Sequence, residues 1–159
     1  MKQLSDDFIL GLVVGEVCFS FSSNKVKSKE GVVKVRKVPA FAIGMNIRDH
    51  DLLVMVRDSM GLRNKVYDFK NYQEDGYKRG MKSVLIVREL GQLRNIIIPF
   101  FYKRLSGYKK YQFEKWVENI GSDPDVPSSY KNIFFLMKAG FYDDYLRTGD
   151  FSPIRDIEL

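Results

Sequence analysis

One carboxylate closes an apolar run near the start of the chain. Residues 9–17 read Ile-Leu-Gly-Leu-Val-Val-Gly-Glu-Val, with Gly11 and Gly15 four apart and Glu16 the sole charge. On a helix, residues four apart share a face, and glycine there lets another backbone come close. Such a helix can pack in a core, seat a second helix, or hold its terminal carboxylate at an interface. Cys18 is the only cysteine and His50 the only histidine. That excludes an internal disulfide and any Cys- or His-rich metal cluster, and neither residue is assigned a role. Any metal must then be held by carboxylates, which suits a hard ion such as Mg²⁺.

The cations supply a second chemistry. A net charge of +6 and a pI of about 9.3 point to an anionic partner, with nucleic acid the first candidate. The charge is uneven. Residues 24–37 carry Lys25, Lys27, Lys29, Lys34, Arg36 and Lys37 against Glu30 alone, and residues 77–115 carry ten Lys/Arg against Glu89 and Glu114. From 118 onward eight acidic residues face four basic ones, so the basic surface belongs to the body of the chain. Lys25, Lys27, Lys29, Lys34, Arg36, Lys65 and Lys82 are the candidate contacts to a phosphate backbone or to bases.

The elements that must position these residues follow from periodicity. At 159 residues, 45% apolar and 14% aromatic, the chain can bury a sizeable core and is not disordered. Ser5-Asp6-Asp7 predicts a capped helix start, with the helix reaching about Glu16. Alternation predicts strands at 18–22 and 32–45, joined by a lysine-rich connection at 23–31. In the second strand Val33, Val35, Phe41, Ile43 and Met45 share one face, and Pro39 marks an edge or a bulge. Leu52, Leu53, Val56 and Met60 recur at helical spacing until Gly61. Strands at 66–69 and 83–87 flank a polar loop containing Asp75-Gly76. Helices follow at 89–102, with Pro99 near its end, and at 108–120, with Phe113, Trp116, Val117 and Ile120 inward. A short helix near 130–139 precedes an extended tail. Asp6 and Asp7 oppose a signal-peptide reading, and no run approaches the roughly 20 apolar residues of a membrane span, so a soluble protein is expected.

The expected class is therefore α+β. Four strands with helices on one face leave the other face open, with Lys/Arg at alternate positions, suited to lying along a duplex groove. The divisions expected are a body over residues 1–120 and a C-terminal helix and tail over 121–159 packed against it.

Three ordered segments resemble the LAGLIDADG homing endonucleases. They are the opening motif with Cys18-Phe19; Pro39-Ala40-Phe41-Ala42-Ile43 followed by Asp49, Leu52, Leu53 and Gly61; and Ile96-Ile97-Ile98-Pro99-Phe100-Phe101 followed by Leu105, Lys109 and Phe113. The resemblance implies an α-β-β-α-β-β-α fold whose curved antiparallel four-stranded sheet binds DNA. It implies that Glu16 is a catalytic metal ligand holding Mg²⁺ or another divalent cation over the scissile phosphates, and that Lys109 lies by the attacking water and phosphate. Only one copy of the motif is present, so the resemblance implies a homodimer with Gly11, Leu12 and Gly15 at the interface, cutting both strands of a long pseudo-palindromic DNA target to leave short 3′ overhangs. Val14 stands where the family often has a first acid, Val17 where glycine usually follows the ligand, and Met45 near a polar, water-lining position. The alternative implied is a nuclease-inactive relative that binds nucleic acid, as an intron maturase on RNA or as a DNA-binding regulator. The compartment is left open.

Overall fold

The computed structural model describes residues 3–70 and 80–144. The loop expected around Asp75-Gly76 and the expected tail beyond 144 lie outside the described residues. Helix α1 spans Asp6–Glu16; the Ser5 hydroxyl accepts the Phe8 amide at 3.2 Å, and Asp6 and Asp7 occupy the positive first turn. It leads directly into strand β1, Val17–Lys27, which pairs antiparallel with β2, Val33–Asn46. A 3₁₀ turn precedes α2, His50–Met60, which stops at Gly61 in the left-handed conformation (φ 75°). Strands β3, Tyr67–Lys70, and β4, Met81–Val87, complete an antiparallel sheet in the order β1-β2-β4-β3.

A helical run over residues 90–101, here α3, widens into a π-turn across Leu93–Ile97 before Ile98–Phe101. Pro99 has no amide hydrogen and its ring crowds the carbonyl four residues back. The run accommodates this by letting the Ile98 amide reach Leu93, five residues back. Helices α4, Gly107–Ser122, and α5, Ser128–Lys138, follow.

Alternation divides the sheet into two faces. Phe19, Phe41, Ile43, Leu85 and Val87 turn toward the helices and join one core with Ile9, Val13, Leu53, Val56, Leu93 and Ile97. Phe19 anchors it, lying 5.1–5.8 Å from the rings of Phe41, Phe101, Phe113 and Trp116. The inward residues expected of α4 are all buried, and Val126, Ile133 and Tyr142 join the same core. Among the described residues no helix is long and apolar enough to cross a membrane.

Two expectations are corrected. The connection expected at 23–31 is mostly strand, since β1 continues to Lys27 and only a short turn separates it from Val33. Residues 23–27 are mostly polar, with weak strand preference, and are held by register with Val33–Lys37. Val33 and Val35, expected on a buried face, are 57% and 42% exposed, because this end of the hairpin extends past the helical layer. Pro39 does sit at an edge. Pairing of β2 with β4 begins only at Phe41, so Pro39 meets β1 alone.

Candidate active site and nucleic-acid surface

Helix α1 buries Ile9 and Val13 and turns Gly11, Val14, Gly15 and Glu16 outward. Among the described residues, a Cβ built at Gly11 or Gly15 would meet nothing within 4 Å, so neither glycine serves a close contact there. Phe8 and Val14 on the same helix are 47% and 48% exposed, and Leu12 is half-buried. An apolar helix with this much uncovered surface has an unpartnered side.

Glu16 ends α1 and opens onto a cleft of about 420 Å³ lined by Gly44, Met45 and Asn46 of β2 with Gly80, Met81 and Lys82. It is the only carboxylate in that lining among the described residues. No group of three or more His, Cys, Asp or Glu side chains able to hold a metal occurs among the described residues. The donors present are oxygen, from the Glu16 carboxylate and the Asn46 amide, and they fit a hard divalent cation. Among the described residues of one chain they are too few to hold one. Val17, where the resemblance expects glycine, is extended (φ −106°, ψ 145°), a conformation open to any residue, and its side chain is buried.

Lys109 lies in the first turn of α4, and its Nζ donates to the Val17 carbonyl at 2.6 Å. Helix α1 has no cation in its own last turn; Lys109 supplies one from across the fold, where the helix dipole favours it. Trp116, two turns along α4, donates its indole N–H to the Ser20 carbonyl at 2.8 Å. Together these fasten α4 along β1 beside the end of α1.

The open sheet face carries small residues at its centre: Cys18, Ser20 and Ser22 on β1 opposite Ala42, Ala40 and Val38 on β2, then Gly44. Lys34 and Arg36 project from the same side of the outer hairpin. Lys82 lies over Gly44 so closely that any Cβ there would overlap its side chain. Tyr67 and Phe69, also on this face, are 55% and 45% exposed, and Lys65 sits 5.6 Å from the Tyr67 ring. Lys25 and Lys27 fall on the opposite parity, across from Val35 and Val33, and Lys29 lies in the turn. The seven candidate cations thus do not share one face.

His50 and Ser83 form a separate cluster under the sheet. The Ser83 hydroxyl donates to Asp68 at 2.5 Å and His50 Nδ1 meets the same oxygen at 2.7 Å. The hydroxyl first, and His50 second, hold the Asp68 carboxyl below its usual range. Buried Ser83 leaves no room for substrate, so the cluster ties α2 to β3 and β4.

Sequence reasoning missed Asn46, Tyr67 and Phe69. The aromatics alternate around Asp68, a signal for an outward face, but the sequence does not say which face is outward.

Comparison with known proteins bears on this arrangement. The sequence model of the LAGLIDADG endonuclease family matches residues 9–120, from the apolar run of α1 to the last inward residue of α4. The chain belongs to that family. A sequence comparison with curated proteins finds no match. Several solved LAGLIDADG structures share the fold. The homing endonuclease I-TnaI is 24% identical with a TM-score of 0.58, over 87% of this chain and 77% of I-TnaI. The meganuclease I-CpaMI, bound to uncleaved DNA, is 21% identical with a TM-score of 0.59, over 92% of this chain and 44% of its own. I-SmaMI, bound to its uncleaved DNA target in the presence of calcium ions, is 17% identical with a TM-score of 0.57, over 86% and 44%. The chain thus spans under half the length of two of these LAGLIDADG relatives.

Proposed function

We propose that this LAGLIDADG protein is a homing endonuclease that acts as a homodimer, hydrolysing both strands of a long pseudo-palindromic DNA target. The observation that carries the reading is the outward side of α1, where Gly11 and Gly15 meet nothing among the described residues and the helix ends on Glu16. Among the described residues the cleft holds one carboxylate, which is insufficient for a metal site. A two-fold axis along α1 brings a second Glu16 beside the first and seats the glycine faces together, with Leu12 at the margin.

A divalent ion, Mg²⁺ in this proposal, supplies activation of water and stabilisation of charge on the attacking and leaving oxygens. The paired Glu16 carboxylates would hold it. Lys109, anchored at the end of α1, places its ammonium beside the phosphate whose charge grows in the transition state. Lys34, Arg36 and Lys82 meet the duplex on the small-residue face, while Tyr67 and Phe69 offer apolar contact to base edges. Lys25, Lys27 and Lys29 reach the backbone from the rim of the hairpin, and Lys65 from the segment just before β3.

The test begins with selection of a bound site from a randomised duplex library, which is then assayed for cleavage in Mg²⁺. Glu16→Gln keeps the side chain's shape and is expected to abolish cleavage of that site while leaving its binding intact. An unmodified protein that binds the duplex but never cuts it, with Mg²⁺ or Mn²⁺, overturns the nuclease reading in favour of a binding-only relative.

A further inference from the structure

The hairpin of β1 and β2 has a structural problem at its base. Between Lys27 and Lys37 its residues are almost all exposed, and β4 abandons β2 at Phe41. From Pro39 outward, β2 would present a bare edge on the side away from β1. A two-stranded ribbon without support twists and swings, and the orientation of its side chains follows.

The turn between α4 and α5 covers that edge. The Lys37 amide donates to the Asp125 carbonyl at 3.0 Å, just as a fourth strand would bond there. The Lys37 ammonium reaches Asp123 Oδ2 at 2.9 Å, with both side chains about two-thirds or more covered. The turn is itself held in shape: the Asp125 amide donates to Asp123 Oδ1 at 2.9 Å, and the Lys131 ammonium bonds the Asp123 carbonyl. Helix α5 is anchored in turn, with Ile133 in the core and the Tyr130 hydroxyl donating to the Arg88 carbonyl at 2.7 Å, where β4 ends. Gly121 lets Phe134 lie against α4, since a Cβ there would overlap the ring. The Lys37 bond is the principal effect holding Asp123 below the usual carboxylate range, and Asp123 likewise raises Lys37.

We infer that the Asp123–Asp125 turn is a clamp that sets the angle of the β1–β2 hairpin, and that Lys37 and Asp123 are positioning residues for DNA recognition. The inference rests on the proposed DNA contact of Lys34 and Arg36. It gives residues 121–138 a function although they lie off the basic surface.

Asp123→Asn separates this from simple electrostatics. The variant keeps the oxygen that accepts the Asp125 amide but removes a negative charge. If bulk charge governed binding, losing an anion would tighten the complex with DNA. A clamp predicts the reverse: binding to the selected duplex weakens by about fivefold, the scale of one lost partly covered ion pair. The single-turnover cleavage rate at saturating DNA stays unchanged, because Glu16 and Lys109 are untouched. Hydrogen exchange in free protein adds an arm independent of DNA. Amides of residues 22–36 exchange faster in Asp123→Asn and in Lys37→Gln, while Lys37→Arg, which keeps the pair, stays as in wild type. Equal or tighter DNA binding by Asp123→Asn overturns the inference, as does unchanged hairpin exchange. Wild-type protein that does not bind duplex at all defeats the nuclease reading instead, and the exchange arm then decides whether the clamp exists.

Discussion

Glycines 11 and 15 allow an experiment in which folding and assembly move in opposite directions. Replacing both by glutamine adds side chains where the isolated chain has open space. Glutamine is a better helix former than glycine by roughly 0.5–1 kcal/mol per exposed interior site. The single chain therefore gains roughly 1–2 kcal/mol, or an increase of about 2–8 °C in melting temperature for a domain of this size. The proposed seam suffers the opposite effect. Helices that meet through glycine faces approach more closely than the usual 8–10 Å or so between axes, and two glutamines per helix force them apart. Sedimentation velocity across a concentration series should show wild type forming a dimer of 18.5 kDa chains and the double variant shifted to monomer. Thermal melts at concentrations below the dimer's dissociation constant should show the variant more stable. Cleavage should fall with the dimer, since Glu16 loses its twin. A variant that sediments as a dimer and cuts at the wild-type rate would refute the seam, whatever its melting temperature.

Two further outcomes are expected. At Gly121 the same residue type has the opposite sign: alanine there drives a Cβ into the Phe134 ring, so Gly121→Ala should lower stability by about 1 kcal/mol or more in urea unfolding, and Phe134→Leu should relieve it. Asp68, Asp123 and Asp143 are all held below the usual carboxylate range, by Ser83, Lys37 and Tyr102 respectively as the leading partners. A lowered folded-state pKa gives stability that is present above the unfolded value and lost as pH falls through the folded one. Stability should thus hold above pH 4 or so and decline below it, and Asp68→Asn should flatten that decline in acid titrations followed by circular dichroism.

The helices were the legible part of the fold. Ser5, Asp6 and Asp7 mark the start of α1 and Gly61 the end of α2, because caps and stops act over one turn and need no distant partner. The inward set Phe113, Trp116, Val117 and Ile120 follows from helical period alone. The outer half of β1 was not legible. Ser23, Asn24 and Lys25 are strand only because Lys37, Arg36 and Val35 lie opposite, and pairing across a hairpin is invisible to local preference. At the candidate site the motif residues could be picked out, but not their surroundings. That Lys109 reaches Val17 from 92 positions away, and that Lys82 lies over Gly44, are facts of how α4 and β4 come to rest on the body.

What the sequence by itself determined is chemical kind and order. It supplied a glycine-spaced apolar helix ending on one acid, an excess of cations in the body, no thiol or imidazole cluster, and the succession of helices and strands. Those properties reside in residue type and short spacing. Only the tertiary structure decided which faces are left uncovered. It buried Ile9 and Val13 while leaving Gly11 and Gly15 open, split the lysines between two sides of a hairpin, and brought an acidic turn under Lys37. Exposure depends on what packs opposite, and whatever packs opposite is contributed by distant parts of the chain.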